Sequence, residues 1–349
     1  MTVSQPILAA KSRQSLLDQS LGDGGVEATL NVRPEELLRL AEEVKAVQFS
    51  PYLMQWIENY EKRGQRGRFL WQWCLKGVGM TTLPSVSKEL RQHVIETKML
   101  SILFGTLMDD IADREQDREM LESAIALAND EWSGERLFPW DERRRAYGEV
   151  IATIWSEVWS RCRTYPKFSN FEHLLRFDNQ QTLNAMRYAL IINQQPSLLN
   201  TIEHDLYQPH NMQIIFMATL DLCASPSFDL NELGIAREVF WHAQRMGRIG
   251  NMITTWEREV LDRDFSSGVF SHAINRGILQ PVELSSLPAH EIMTILENAG
   301  CQEHFIQEWE EHRARLEEKI QNIRSVDLQP YLGAFEELIK LHLCSRGLM

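Results

Sequence analysis

Three aspartates in the sequence stand close enough together to bind a cation. Asp109, Asp110 and Asp113 lie in the stretch GTLMDDIADREQD, which follows an apolar run with helical spacing and falls where a helix is predicted to end. Neighbouring carboxylates repel one another, and their pKa values rise unless a positive charge compensates them. Asp109 and Asp113 are one helical turn apart, so both can face the same way. The spacing indicates a metal site, although a solvated helix end has the same pattern.

A second group of polar residues lies far downstream, in the stretch QRMGRIGNMITTWEREVLDRD. Arg248, Asn251, Thr255 and Glu259 fall within about 80° of arc on a helical wheel, so they share one face. Asn, Thr and carboxylate oxygens suit Mg²⁺ and suit zinc poorly. If the two helices face each other, Mg²⁺ ions can bridge their carboxylates and a diphosphate. Alone, this stripe would be interpreted as a wet helix face; the two groups together indicate a metal-dependent reaction.

The composition of the chain argues against several classes of function. Its 349 residues are 44% hydrophobic, and its formal net charge of −13 without any Lys or Arg run argues against binding to nucleic acid or to an anionic membrane. No apolar run approaches the roughly 18 residues of a membrane span. Five cysteines without a CxxC pair fit free thiols in a reducing compartment. We therefore expect a cytoplasmic protein that is a monomer or a homodimer.

Apolar residues recur with a 3.6-residue period along almost the whole chain, which predicts helices and few or no strands. No stretch is long or polar enough to serve as a linker between two domains. We expect a flexible N-terminal arm at residues 1–30 and a single all-α domain at residues 31–349. Helices are predicted at approximately 34–48, 51–63, 67–79, 87–112, 115–128, 141–163, 168–194, 201–223, 229–263, 281–299, 302–324 and 328–344.

The two polar motifs resemble those of the class I terpene synthases, and the likeness covers most of residues 60–345. That family carries an Asp-rich DDxxD motif, which is complete here at Asp109, Asp110 and Asp113.

The second motif of the family is (N/D)Dxx(S/T)xxxE. It appears here as Asn251, Thr255 and Glu259, with Arg258 at a position where the family often has Lys or Arg. Met252 replaces the usual Asp, which in the family is generally not a metal ligand, so this departure does little harm.

The resemblance implies a single α-helical bundle with a central apolar active-site cavity. Three Mg²⁺ ions at its mouth would trigger loss of diphosphate from an isoprenoid, and the allylic carbocation would rearrange until proton loss or water quenches it. The implied catalytic residues are Asp109, Asp110, Asp113, Asn251, Thr255 and Glu259, all but Asp110 as metal ligands, and the implied diphosphate-binding residues are Arg248 and Arg258.

Aromatic side chains are expected to line the cavity, because their faces stabilise a cation without attacking it. The candidates for the substrate pocket are Phe104, Trp73, Tyr207, His210 and Phe216. Phe104 precedes Asp109 by about one turn, so it is expected at the cavity mouth. For each aromatic residue, ordinary core packing is the competing interpretation.

Two details predict the length of the substrate. Many bacterial members of the family have an Arg before the helix break upstream of the second motif, but the stretch HDLYQPHNMQIIFMATLDLC has none and breaks at Pro209. The phrase MGRIGN, which places Arg248 before Asn251, is similar to class I diterpene synthases of the kaurene synthase type. The expected substrate is a C20 diphosphate, either geranylgeranyl diphosphate or a bicyclic copalyl- or kolavenyl-type diphosphate supplied by a separate class II cyclase.

Other interpretations stay open. The protein could be a sesquiterpene synthase that acts on farnesyl diphosphate, or a chain-elongating prenyltransferase of the same fold, although that family carries DDxxD twice. It could also be a non-catalytic helical scaffold with acidic faces, which would release no diphosphate.

Overall fold

Every regular element in the part of the chain that the structure describes is helical. The computed structural model describes residues 26–30, 32–64, 66–129 and 141–348, and none of these residues forms a strand. The predicted all-α fold is therefore confirmed. None of the described helices combines the length and the apolar character that crossing a membrane would require.

The first half of the described chain forms helices on both sides of a π-helical turn at Asp110–Glu115. The helices are α1 (Val26–Thr29), α2 (Pro34–Lys45), α3 (Pro51–Glu61), α4 (Arg68–Thr81), α5 (Arg91–Asp109), α6 (Arg118–Ala128), α7 (Glu142–Cys162) and α8 (Phe168–Gln194).

The second half is built around one long helix, α11. Its helices are α9 (Thr201–Tyr207), α10 (Ile214–Cys223), α11 (Leu233–Asp262), α12 (Gly268–Asn275), α13 (Pro281–Ser286), α14 (Ala289–Asn298), α15 (Cys301–Ile320) and α16 (Gln329–Leu343), and short 3₁₀ turns lie at Pro196–Leu198, Gln208–Met212 and Leu230–Glu232.

Local sequence explains where several of these helices begin. Ser50 accepts a hydrogen bond from the Leu53 amide at the start of α3, and Asp117 accepts one from the Met120 amide at the start of α6. These side chains satisfy amides that the first helical turn leaves unpaired. Pro34 stands at the first position of α2, where its missing amide hydrogen costs nothing.

The structure divides two of the predicted helices. The segment predicted at 201–223 is interrupted by the 3₁₀ turn, which ends at Gln213 with a left-handed φ of 55°. The segment predicted at 281–299 is interrupted at Pro288, which cannot donate the backbone hydrogen bond of a continuing helix. The helix α12 was not predicted, because its few residues carry too short a pattern to show a period.

The end of the predicted flexible arm is ordered. Residues 1–25 lie outside the described residues, but the arm was predicted to reach residue 30, and residues 26–29 form a helical turn. Val26 is buried there, and the Glu27 carboxylate pairs with Arg346 at 3.1 Å. This helical turn is therefore tied to the C-terminal part of the chain.

The helices α5 and α11 carry the two polar groups found in the sequence, and each packs against several other helices. The helix α11 packs against α10, α15 and α16, whereas α5 packs against α4 and α7. Both helices are buried along most of their length. The polar side chains on their buried faces therefore point into the protein.

A buried ion pair ties α5 to α10. Lys98 Nζ lies 2.5 Å from Asp221 Oδ2, and both side chains are almost completely buried. Lys98 also donates a hydrogen bond to Thr82 Oγ1, and Asp221 accepts a hydrogen bond from the Leu83 amide. Each charge therefore has polar partners that replace the water it has lost.

Removing one member of this pair should be strongly destabilising. In Lys98→Met, the Asp221 charge stays buried without its cation, and the free energy of unfolding should fall by about 3–5 kcal/mol in denaturant titrations followed by circular dichroism. The double variant Lys98→Met/Asp221→Leu removes both charges and should recover part of the loss. A single variant as stable as the wild type would contradict this account of the pair.

Candidate active site

A cavity of about 660 Å³ contains both polar groups found in the sequence. Asp109 and Asp113 line it from the end of α5, and the stripe on α11 lines it with Arg248, Arg258 and the three predicted metal ligands of the second motif. The remainder of the lining combines polar residues, such as Arg66, Asn211 and Asp264, with apolar ones, which include Leu70, Trp73, Cys74, Val78, Ile102, Met186, Ile214, Met217 and Leu338. The cavity therefore combines carboxylates and arginines with hydrocarbon surface.

Asp110, which was expected among the catalytic residues, does not line this cavity. It is buried outside it, where Asp110 Oδ2 accepts from Tyr60 Oη at 2.8 Å and Asp110 Oδ1 accepts from Arg66 Nε at 3.1 Å. The physical reason is angular, since consecutive helical residues point about 100° apart. Asp110 thus supports the loop that carries Arg66, and Asp109 and Asp113 face the cavity.

Arg66 holds the first carboxylate in place. Its Nη2 donates to Asp109 Oδ2 at 3.1 Å while its Nε contacts Asp110, so one guanidinium spans two consecutive acids. Asn211, in the 3₁₀ turn before α10, donates to the other oxygen of Asp109 at 3.3 Å. Burial lowers the pKa of Arg66, but the charges of Asp109 and Asp110 outweigh it and raise that pKa overall. Arg66 is therefore a fixed cation.

Asp113 has less compensation than Asp109. Its Oδ1 accepts a 3.4 Å hydrogen bond from Asn193 Nδ2, and the same amide donates to Asp264 at 3.1 Å. Burial raises the pKa of Asp113 well above its usual range, and the charges of Asp264 and Asp109 raise it further. Burial also raises the pKa of Asp109, although Arg66 opposes that rise.

Asp264 is brought to the cavity by the way α11 ends. Arg263 adopts a left-handed φ of 57°, and the Asp264 amide then bonds back to the Glu259 carbonyl at 2.9 Å. This is the hydrogen-bond pattern of a Schellman turn, which usually has Gly at the left-handed position. The turn returns Asp264 to the end of the helix beside Glu259, where Asn193 and the Ser266 amide fix its carboxylate.

The stripe on α11 is a chain of hydrogen bonds. Arg248 Nη1 donates to Asn251 Oδ1 at 3.0 Å, and Thr255 Oγ1 lies 2.7 Å from Glu259 Oε1. Burial raises the pKa of Glu259, with Asp264 adding to the rise and Arg248 opposing it. Arg258 Nε lies 3.8 Å from Oδ2 of Asp262, one turn further along the helix. Glu259 Oε2 is buried without a hydrogen-bond partner among the described residues.

These residues fit a hard divalent cation. Their donors are carboxylate, amide and hydroxyl oxygens, which Mg²⁺ prefers. The raised pKa values and the unpartnered oxygen of Glu259 indicate negative charge that the protein does not fully compensate. Within the described residues, no three or more His, Cys, Asp or Glu side chains are arranged to hold a metal on their own.

Of the five residues predicted for the substrate pocket, Trp73 lines the cavity. Phe104 does not. It stacks on Trp155 with 4.2 Å between ring centroids, inside the core between α5 and α7. The prediction was wrong because residues 104 and 109 lie about 140° apart on a helix. Phe216 packs against the other side of the same cluster, 6.1 Å from the Trp155 ring.

Tyr207 and His210 also lie away from the described cavity lining. The Tyr207 ring packs against Tyr188 at 5.4 Å, and His210 Nδ1 lies 3.2 Å from Gln244 Nε2. The short helix α9 and the 3₁₀ turn direct these side chains toward α8 and α11. In their place, the turn presents Asn211, Met212 and Gln213 to the cavity.

Sequence reasoning missed several residues that shape the site. Asp264 stood within the acidic stretch that contains Glu259, so its composition was a signal that the helical wheel did not use. Arg66, in a short loop, and Asn193, at the end of α8, gave no such signal, because their role depends on contacts with residues 43 and 80 positions away.

Comparisons with known proteins fall into two groups. No protein-family model matches this sequence, and a search of curated proteins finds no significant match. Solved structures do match. The linalool/nerolidol synthase of Streptomyces clavuligerus in complex with 2-fluorogeranyl diphosphate is 13% identical, with a TM-score of 0.54 over 88% of this chain and 97% of that chain. The chain has the class I terpene synthase fold.

A second structure has the same fold and comes from an enzyme with a different name. The farnesyl diphosphate synthase of T. brucei is 11% identical and matches with a TM-score of 0.50 over 87% of this chain and 95% of that chain. At these identities the likeness establishes the terpene synthase fold alone. The cavity lining described above is a property of this chain's own residues.

Neutralising Asp113 should stabilise the metal-free protein. Because its pKa is raised in the folded state, the ionised carboxylate opposes folding, and stability is lost as the pH rises through that pKa. In EDTA at neutral pH, Asp113→Asn should therefore melt at a higher temperature than the wild type. Added Mg²⁺ should raise the melting temperature of the wild type more than that of the variant.

A matched control is Glu311→Gln, which removes one charge from an exposed position on α15. It should behave as the wild type does in both conditions. If Asp113→Asn melted lower than the wild type in EDTA, the repulsion described here would not be what limits the stability of the apo protein.

Proposed function

We propose that this protein is a class I diterpene synthase, a lyase that removes diphosphate from a C20 prenyl diphosphate and rearranges the resulting carbocation. The single observation that carries this proposal is the cavity itself, whose lining combines Asp109, Asp113 and Glu259 with apolar side chains such as those of Trp73, Val78 and Leu338. A prenyl diphosphate has the same two parts, a highly charged head and a hydrocarbon chain.

The proposed cofactor is Mg²⁺, with three ions expected. The residues that would hold it are Asp109, Asp113, Asn251, Thr255 and Glu259. When bound, the ions would neutralise the departing diphosphate and so promote cleavage of the carbon–oxygen bond. Asp264, fixed between the two groups by Asn193, adds a further carboxylate to the same end of the cavity.

Two arginines on α11 would bind the diphosphate directly. Arg248 is buried, and its Nε has no hydrogen-bond partner among the described residues, although Nη1 and Nη2 contact Asn251 and the Ser266 carbonyl. Arg258 also lines the cavity. A guanidinium presents several N–H donors in a plane, which suits phosphate oxygens.

The apolar part of the cavity lining would receive the hydrocarbon chain. Trp73 presents an aromatic surface there, and its indole nitrogen donates to the Leu341 carbonyl at 2.7 Å, which fixes the ring. Aliphatic side chains such as Leu338 and Val78 complete this surface. A reactive cation survives only where water is excluded, and aromatic faces stabilise its charge.

The structural neighbours support the class of substrate. One was solved with 2-fluorogeranyl diphosphate, and another is named a farnesyl diphosphate synthase, so both names involve prenyl diphosphates. They do not indicate a C20 chain. The cavity volume, about 660 Å³, lies within the roughly 300–1,000 Å³ of small-molecule sites, so size admits both C15 and C20 chains.

The C20 proposal therefore depends on sequence details, namely Arg248 three residues before Asn251 and the absence of an Arg in the segment before the helix break. A bicyclic substrate would have to come from a separate class II cyclase. We propose the cytoplasm as the compartment, in keeping with the five cysteines, which are free and buried. A sesquiterpene synthase is the first alternative, and the farnesyl diphosphate synthase neighbour makes a prenyltransferase the second.

The decisive assay supplies farnesyl, geranylgeranyl and copalyl-type diphosphates to one enzyme preparation and measures kcat/KM for diphosphate release. We expect release that EDTA abolishes and that Mg²⁺ or Mn²⁺ restores better than Zn²⁺, with a C20 substrate preferred. A preference for farnesyl diphosphate would replace the diterpene proposal with the sesquiterpene one. Elongation with isopentenyl diphosphate would indicate a prenyltransferase, and silence with every substrate would favour a scaffold.

Arg248→Ala should reduce turnover without unfolding the protein. Losing a charge-assisted hydrogen bond to a phosphate removes about 1.5–3 kcal/mol, which is roughly tenfold to over a hundredfold in rate. The measurement is kcat/KM for the best substrate, together with the melting temperature. Arg315→Ala is the matched control, because Arg315 is an exposed residue on α15. Equal rates for wild type and Arg248→Ala would show that Arg248 does not bind the diphosphate.

A further inference from the structure

One wall of the cavity carries a histidine. His342, near the end of α16, lines the cavity and is only 1% exposed. Neither Nδ1 nor Nε2 has a hydrogen-bond partner among the described residues. A buried polar group without a partner is costly, so such a group in a native structure requires an explanation. His342 belongs neither to the proposed metal ligands nor to the proposed diphosphate-binding residues.

The ring of His342 is held by its neighbours. It packs against the Trp73 ring with 4.8 Å between centroids, and Trp73 is itself bonded to the carbonyl of Leu341. On the other side lies Gly250 of α11. A Cβ at that position would stand 2.6 Å from His342 Cδ2, so glycine is what allows the ring to approach the helix. The imidazole is therefore fixed in place between α4 and α11.

His342 is also a neutral base. Burial lowers its pKa to about 3, so the ring is uncharged at working pH, with a hydrogen on one nitrogen and a free lone pair on the other. Other polar groups on this wall are poorer acceptors of a proton. Burial raises the pKa of the Cys74 thiol to about 12, and the Thr81 hydroxyl already donates to the Gly77 carbonyl.

Resting on the proposed terpene synthase function, we propose that His342 is the catalytic base that ends the reaction by removing a proton from the final carbocation. The ring nitrogen takes the proton from a carbon next to the cationic centre. The two electrons of the broken C–H bond become the π bond of an alkene, and the imidazole becomes imidazolium.

The imidazolium then returns its proton to the released diphosphate or to water when the product leaves. A low basicity does not prevent the transfer, since a carbocation is a far stronger acid than imidazolium.

The test separates the final step from the ionisation that precedes it. In His342→Gln and His342→Phe, diphosphate release should change by less than about threefold, because the base acts after ionisation. A positioned base contributes about 10²–10⁴-fold to a proton transfer, so the share of the main alkene should fall at least about tenfold. Alcohols formed by water capture and alkenes from earlier cations should replace it in gas chromatography with mass spectrometry.

Chemical rescue distinguishes a base from a ring that merely fills space. In His342→Ala, added imidazole should restore the main alkene, whereas thiophene, a ring of similar shape without a basic nitrogen, should not. Equal rescue by both would overturn the proposal. His173→Gln, at an exposed position on α8, is the matched control and should keep the wild-type products.

The outcomes distinguish this inference from the function on which it rests. If wild type releases diphosphate and the His342 variants give the wild-type product profile, or if the wild-type product is an alcohol made equally by the variants, His342 is not the base. If wild type releases no diphosphate from any prenyl substrate, the proposed function fails, and the assignment of His342 fails with it. Melting temperatures identify any variant that does not fold, and the remaining substitutions at this position then decide.

Discussion

Like charges that are buried close together repel, and this protein keeps the carboxylates of Asp109, Asp113, Glu259 and Asp264 at one end of a single cavity. The compensation is incomplete, because Arg66 divides its guanidinium between Asp109 and Asp110. A folded chain tolerates such repulsion only if packing elsewhere outweighs it. The uncompensated charge is the physical basis of the proposed cation site.

Uncharged side-chain amides hold several of these carboxylates in place. Asn193 contacts two of them at once, and Asn211 reaches Asp109 from the 3₁₀ turn before α10. An amide fixes the direction of a carboxylate without cancelling its charge, whereas a dedicated lysine would have removed the charge that a metal needs. The rigid positions of Asp109 and Asp113 and their free charge are thus achieved together.

The sequence allowed the helices and the two polar faces to be predicted, since a helical wheel depends on local periodicity alone. It placed Asp109, Asp113 and Glu259 on inward faces, and these residues do line one cavity. The wheel cannot say which neighbour a face meets, so Phe104 and Phe216 were assigned to the cavity although they pack on Trp155. Arg66 and His342 could not be found this way, because their significance depends on contacts between segments distant in the chain.

The position of α16 in the cavity wall has a consequence for folding during synthesis. Trp73 of α4 contacts the carbonyl of Leu341, 268 residues later in the chain, so two walls of the cavity come from opposite ends of the described sequence. At about 5–20 residues per second of synthesis, α4 precedes α16 by roughly ten seconds to a minute. During that interval the indole nitrogen of Trp73 lacks the carbonyl to which it donates in the folded protein. This part of the cavity wall is therefore completed only when the last helix arrives.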